Sequence, residues 1–209
     1  MSNLTKSPTK LAPKLAIVVP CYNEEAVVAH TYNALCQKLD SLIAQNLISK
    51  ESFLCFVDDG SKDKTCEILL SLKIPAHKLI KLTRNYGHQN ALLAGLHFVK
   101  DKCDCAVSMD CDLQDDINAL DEMLAKFKSG ADIVYGVRKA RDKDTAFKKY
   151  TALGFYKFMQ IMGVKIPNNH VDYRLLSHRA CENLLEFKEV NLFLRGIVPL
   201  VGHKSEVVS

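Results

Sequence analysis

The stretch CAVSMDCDLQDD, residues 105–116, joins an apolar segment directly to a group of acids. Cys105–Met109 has the composition of a buried β-strand. Four aspartates follow it at once: Asp110, Asp112, Asp115 and Asp116. Carboxylates this close repel one another and raise each other's pKa, so the sequence predicts a cation that offsets the cost.

The same sequence of an apolar strand and a polar loop recurs along the chain. Strands are predicted over residues 15–20, 53–57, 78–82, 105–109 and 132–136. Helices are predicted over residues 25–44, 64–72, 90–100, 118–128 and 144–162 and around 181–187. The alternation indicates one α/β domain with a mostly parallel sheet, spanning residues 15–209 after a flexible leader of residues 1–14.

The bulk composition excludes several classes of protein. The chain has 209 residues and a formal net charge of +4, too mild to indicate nucleic-acid binding. It has neither an apolar run long enough to cross a bilayer nor a secretory signal. Its eight cysteines form no zinc pattern, and most lie in apolar runs, which favours a reduced, cytoplasmic protein. The oligomeric state, including a homo-oligomer, stays open.

Ligands of such sheets bind beyond the carboxyl ends of the strands, where every predicted loop is polar. Neither GxGxxG nor GxxxxGK[ST] occurs, so a bound phosphate would need a divalent metal instead of a glycine-rich loop. Asp110 and Asp112 can share one Mg²⁺ or Mn²⁺, with Gln114 as a neutral oxygen ligand. The alternative is an acidic surface loop in which Asp115 or Asp116 caps a helix, and we adopt it for those two residues.

Six motifs resemble those of the inverting glycosyltransferases of family 2, which have the GT-A fold. They cover about residues 15–200 and occur in the family's order: VVPCYNEE, VDDGSKDKT, RNYGHQNALLAG, MDCDLQDD, VYGVRKARD and VDYRLLSHRA. The chain looks most like the polyisoprenyl-phosphate type, the bactoprenol glucosyltransferases and dolichyl-phosphate mannose synthases. That resemblance implies transfer of a hexose to a polyprenyl phosphate, peripheral to the cytoplasmic face of a membrane, with UDP-glucose as the expected donor.

The resemblance also implies roles on the donor side. It assigns nucleotide-sugar binding to seven residues: Pro20, Tyr22, Glu24, Asp59, Asn85, Asp110 and Arg138. It assigns the metal and the diphosphate to Asp110, Asp112 and Gln114. Asp58 is expected to hold the turn at Gly60, and Asn23 could cap the following helix. His88 could face the phosphates, but a lone loop histidine is more often only solvated, so it is not assigned to the site.

On the acceptor side the resemblance assigns catalysis to Asp172 and Arg174. A lipid phosphate is already largely ionised at neutral pH, so Asp172 would organise it and not deprotonate it. A hydroxyl acceptor would instead require Asp172 as a general base. Both roles stay open at this point, and either gives a single displacement that inverts the anomeric configuration.

The chain departs from the family after FLRGIVPLVGHKSEVVS, where bacterial members continue into membrane segments. A truncated chain, a natural fragment and a soluble variant all fit this departure. The helix over residues 144–162 could lie on a membrane or pack on the core. Two other functions remain: transfer to a polysaccharide or other hydroxyl acceptor, and binding of a nucleotide sugar without turnover. A sugar nucleotidyltransferase is disfavoured because PCYNEE is not a glycine- and arginine-rich loop.

Overall fold

The computed structural model describes residues 12–72, 77–137, 170–187 and 194–208. Arg138, residues 1–11 of the predicted leader and the predicted helix over residues 144–162 lie outside these ranges. The described strands are β1 Leu15–Cys21, β2 Phe53–Asp58, β3 His77–Lys81, β4 Cys105–Ser108, β5 Ile133–Val137, β6 His170–Ser177 and β7 Ser205–Val208. The described α-helices are α1 Val28–Ala44, α2 Thr65–Ser71, α3 His88–Val99, α4 Ala119–Lys128, α5 His178–Leu185 and α6 Leu194–Ile197, with 3-10 helices at Lys100–Lys102 and Val198–Val201.

The seven strands form one sheet in the order β3-β2-β1-β4-β6-β5-β7. β1 pairs in parallel with β2 and with β4, and β2 pairs in parallel with β3, which confirms the predicted mostly parallel α/β fold. β6 is the exception, because it runs antiparallel between β4 and β5. The sequence prediction did not include β6 or β7.

Both faces of the sheet are covered, which explains why β1 is an unbroken apolar run. Ile17 and Val19 pack on one face with residues of α1 and α4. Ala16 and Val18 pack on the other face with residues of α3 and α5. Every residue of β1 is buried as a result, and the alternation of side chains across the strand supplies both cores.

Helix α3 approaches the sheet closely at Gly95. A Cβ atom at this position would lie 2.3 Å from Cγ1 of Val18 and 3.0 Å from Cγ2 of Val57. Only glycine therefore fits here without a shift of the neighbouring side chains. The contact fixes α3, whose first residue is His88, against the two strands that end at the site.

Two predicted helix starts differ in detail. Asn23 does not cap α1: its φ is 55°, and its side chain accepts a hydrogen bond from the backbone N–H of Lys62 at 2.8 Å. The turn that leads into α1 starts instead at the carbonyl of Glu24, which accepts from the backbone N–H of Val28 at 2.9 Å. Neither Asp115 nor Asp116 caps α4, because its N-cap residue is Asn118 and no side chain caps it. Asp116 instead accepts from the backbone N–H of Asn118 at 2.9 Å in the turn before the helix.

Candidate active site

A cleft of about 450 Å³ lies beyond the carboxyl ends of β1, β2 and β4. Because β6 is antiparallel, its first residues reach the same edge, and they bring Asp172 to the cleft. Eight residues predicted from the sequence line it: Pro20, Tyr22, Glu24, Asp59, Asn85, Asp110, Asp112 and Asp172. The topology therefore gathers the motifs of five separate strands around one space.

Acids dominate one wall of the cleft. The pKa of Glu24 is raised above its usual value, first by burial and then by the negative charges of Asp112, Asp63 and Asp110. Asp110 and Asp112 are thus close enough to Glu24 to destabilise its charge. Carboxylate oxygens are the donors that Mg²⁺ and Mn²⁺ take, so Asp110 and Asp112, which both line the open cleft, fit such a metal in chemical type.

The loop that carries Asp110 and Asp112 is fixed by a hydrogen bond from helix α1 and by a turn of its own. Thr31 on α1 donates a hydrogen bond to the buried carbonyl of Cys111, with the oxygens 2.5 Å apart. Leu113 has a positive φ of 53°, and Oδ1 of Asp112 accepts from the backbone N–H of Gln114 at 3.0 Å. The turn therefore uses one oxygen of Asp112. Gln114 is exposed and is not among the residues that line the cleft, so its predicted metal role stays a prediction.

Asp59 and Asp58 have different structural tasks. The buried carboxylate of Asp59 accepts from the backbone N–H of Tyr86 at 2.8 Å with one oxygen and from that of Gly87 at 2.9 Å with the other. It therefore holds the loop that carries Asn85 against β2. Asp58 accepts from the backbone N–H of Ser61 at 3.1 Å, which agrees with its expected place at the Gly60 turn.

Gly60 itself is required by the same loop. Its φ is +69°, and a Cβ there would lie 2.5 Å from the backbone carbonyl carbon of Arg84. The left-handed conformation and the close approach both favour glycine. The turn after β2 and the loop after β3 thus lie in direct contact, and together they form the side of the cleft that Asp59 and Asn85 line.

Asp172 faces the acidic wall from β6. Its side chain is 11% exposed, and its Oδ1 accepts from the Arg174 guanidinium at 2.5 Å. Arg174 is buried among β4, β5 and β6, donates to the carbonyl of Leu194 at 3.4 Å, and does not line the cleft. We therefore expect Arg174 to act through Asp172 and not on the substrate directly.

His88 was not assigned a role from the sequence, yet it lines the cleft between the two sets of acids. Its Nε2 lies 3.5 Å from Oδ1 of Asp110 and 3.8 Å from Oδ2 of Asp172. Its side chain is 44% exposed. The available sequence signal was its position: His88 follows Gly87 in the loop after a strand and is the first residue of α3.

Cys21 and Cys111 also line the cleft. A hydrogen bond with the Cys111 thiol, together with burial, raises the pKa of Cys21 well above the usual value for a thiol. Such a thiol is a poor nucleophile. All eight cysteines lie within the described residues, and all are free there.

A second group of potential metal ligands lies elsewhere. Among the described residues, Asp101, His178 and Glu182 place one ligand atom each within 4.8 Å of the others. None of the three lines the cleft. Among all the residues that the structure describes, no helix is long and apolar enough to cross a membrane.

The sheet order and the acidic loop after β4 agree with the GT-A fold expected from the sequence motifs. The family model for glycosyl transferase family 2 matches residues 16–185, and the chain belongs to this family. An uncharacterized glycosyltransferase of Bacillus subtilis, YkoT, is 50% identical over 198 residues, which are 94% of this chain and 59% of YkoT. A prophage bactoprenol glucosyl transferase homolog of Escherichia coli is 36% identical over 93% of this chain and 62% of its own length.

Solved structures agree with the fold. Glucosyl-3-phosphoglycerate synthase from Mycobacterium tuberculosis, in complex with Mn²⁺, UDP-glucose and phosphoglyceric acid, gives a TM-score of 0.65 at 15% identity. The match covers 93% of this chain and 69% of the synthase. At this identity the likeness shows the fold alone. The chain spans only about 60% of the two curated relatives, at 59% and 62% of their lengths.

Proposed function

We propose that this chain is the catalytic domain of an inverting, metal-dependent hexosyltransferase that moves glucose from UDP-glucose to a polyprenyl phosphate. The observation that carries the proposal is the cleft, in which Asp110 and Asp112 lie opposite an arginine-held Asp172. The bactoprenol name of the E. coli relative supports this acceptor, and the Mn²⁺ and UDP-glucose bound to the M. tuberculosis synthase support the metal and the donor.

The donor would lie along the acidic wall. Tyr22, Asp59 and Asn85 line the part of the cleft proposed for the nucleoside, and Asp110 and Asp112 would hold the metal. When bound, the metal would neutralise the charge that develops on the departing diphosphate. Asp110 and Asp112 would hold the metal, and with it the diphosphate, close to the end of β4.

The ion pair of Asp172 supports one of the two acceptor classes. A guanidinium at 2.5 Å stabilises the ionised carboxylate and opposes the uptake of a proton. A hydroxyl acceptor needs a base that takes a proton, whereas a phosphate monoester brings an oxygen that is already ionised. The geometry thus favours a phosphate acceptor, with Asp172 as an organiser of the acceptor side.

The proposed reaction requires no proton transfer to or from the protein. An oxygen of the acceptor phosphate forms a bond to the anomeric carbon from the face opposite the diphosphate. The bond between that carbon and the diphosphate oxygen breaks, and UDP leaves with the electron pair.

Arg138, which lies outside the described residues, stays a prediction for the donor phosphates. We place the reaction at the cytoplasmic surface of a membrane, where the lipid acceptor would be available.

The test is transfer of radiolabelled glucose from UDP-glucose to undecaprenyl phosphate in phosphatidylglycerol vesicles with Mn²⁺. The expected result is lipid-extractable label that requires metal and disappears in Asp172→Ala. The exposed Asp40→Asn on α1 is the matched control and should transfer normally. Label transferred from GDP-mannose but not from UDP-glucose would overturn the choice of donor. Label transferred to a glycan hydroxyl but not to the lipid would overturn the choice of acceptor.

A further inference from the structure

The charge of the cleft creates a problem for an anionic acceptor. Five of the side chains that line it are carboxylates: Glu24, Asp59, Asp110, Asp112 and Asp172. Among the cleft-lining residues that the structure describes, none is lysine or arginine, and His88 is the single basic side chain. A phosphate monoester that enters between Asp110 and Asp172 would be repelled by both unless some group donates to it.

Arg174 offsets one of these five acids, and the proposed metal would offset two more. Asp172 has the buried Arg174 at 2.5 Å, and Asp110 and Asp112 would share the proposed metal. His88 remains, and its Nε2 faces one acid of each set, at 3.5 Å from Asp110 and 3.8 Å from Asp172. Because both neighbours are acceptors, this nitrogen is the one that carries hydrogen.

Both distances exceed the range of about 2.7–3.2 Å in which an N–H···O hydrogen bond is well formed. The N–H of His88 is therefore oriented by its two neighbours without being fully engaged by either. The side chain is 44% exposed to the cleft, so a ligand oxygen can reach it. His88 is also the first residue of the twelve-residue helix α3, where the helix dipole favours a negative ligand.

We propose that His88 donates the hydrogen bond that seats the acceptor phosphate between the donor metal site and Asp172. This inference rests on the proposed function and deepens it by naming the residue that receives the acceptor. His88 neither takes nor gives a proton in the transfer. It holds a non-attacking phosphate oxygen, so that another oxygen of the same phosphate faces the anomeric carbon.

The experiment is calorimetric titration of farnesyl monophosphate into the chain saturated with UDP and Mg²⁺. His88→Ala should weaken farnesyl phosphate binding about tenfold, as expected for one hydrogen bond to a charged group. His88→Gln retains an N–H donor at a similar reach and should recover most of that affinity. His97→Ala, an exposed histidine on the same helix, is the matched control and should bind as the wild type does. All three variants should keep the wild-type affinity for UDP with Mg²⁺.

Several outcomes would overturn the inference. Unchanged farnesyl phosphate binding in His88→Ala would remove His88 from the acceptor site. Loss of UDP binding in the same variant would place it in the donor site instead. Inorganic phosphate that binds more tightly than farnesyl phosphate would indicate a site for free phosphate. A wild-type chain that binds UDP and Mg²⁺ but no farnesyl phosphate would refute this inference, whereas one that binds no UDP at all would refute the proposed function.

Discussion

Replacing Asp59 by Asn separates two roles for this residue, because the change is nearly isosteric. The resemblance to family 2 assigns Asp59 to the nucleotide, whereas the structure shows both of its oxygens accepting backbone N–H groups, from Tyr86 at 2.8 Å and from Gly87 at 2.9 Å. Asparagine has one acceptor oxygen and one amide donor. One of the two loop N–H groups would then face another donor.

The expected loss of stability follows from that count. Asp59 is 2% exposed, so water cannot replace the missing bond. Losing one hydrogen bond to a charged group costs about 1.5–3 kcal/mol of unfolding free energy. For a chain of about 200 residues, this lowers the melting temperature by about 3–12 °C.

The assay is thermal unfolding of the ligand-free protein, followed by circular dichroism, with Asp40→Asn as the exposed control. UDP affinity is then measured on the same samples, and we expect it to fall because the loop that carries Asn85 is loosened. If Asp59→Asn melts within about 1 °C of the wild type and loses only UDP affinity, Asp59 contacts the nucleotide and does not hold the loop.

Three further predictions concern the scaffold of the site. Gly95→Ala should lower the urea midpoint of unfolding. Its methyl group would overpack against Val18 and Val57 at a cost of about 1–3 kcal/mol, which exceeds the roughly 1 kcal/mol that alanine gains in helix propensity. An unchanged or raised midpoint would contradict this close packing. Thr31→Val should lower the unfolding free energy by about 1–3 kcal/mol, because the buried carbonyl of Cys111 loses its hydrogen-bond donor. Calorimetry of the same variant should show weaker Mn²⁺-dependent UDP binding. If the variant keeps both its stability and its UDP affinity, Thr31 does not fix the metal loop. Arg179 lowers the pKa of Asp132, so the wild type should be more stable than Arg179→Met at neutral pH. This difference in unfolding free energy should disappear as the pH falls below about 4 and through the lowered pKa of Asp132. Urea titrations that give the same difference at every pH would refute a stabilising role for this ion pair.

Four of the first five strands could be predicted because each is an apolar run between helices, whereas β3, HKLIK, has only Leu79 and Ile80 as apolar residues. β6 could not, because its sequence HVDYRLLS places a charged residue at every second position of its first half. In the fold, Asp172 and Arg174 neutralise each other, and both are buried in a strand that pairs on two sides. A pattern of single residues does not show such a pair.

The candidate site was partly predictable for a topological reason. Loops at the carboxyl ends of parallel strands meet at one edge, and Tyr22, Asp59, Asn85 and Asp110 therefore come together as expected. The direction of a side chain was not predictable. Arg174 lies behind Asp172, and His88 reaches the space between two acids, because of the antiparallel β6 and the start of α3.

The most direct test of the account is calorimetry of this chain with UDP and with GDP, each with and without Mn²⁺, for the wild type and Asp112→Ala. The account predicts that UDP binds when Mn²⁺ is present and not when divalent metal is absent, that GDP binds much more weakly, and that Asp112→Ala abolishes the metal-dependent part. UDP binding by Asp112→Ala with Mn²⁺ as tight as that of the wild type would contradict the metal site on which the proposed function depends.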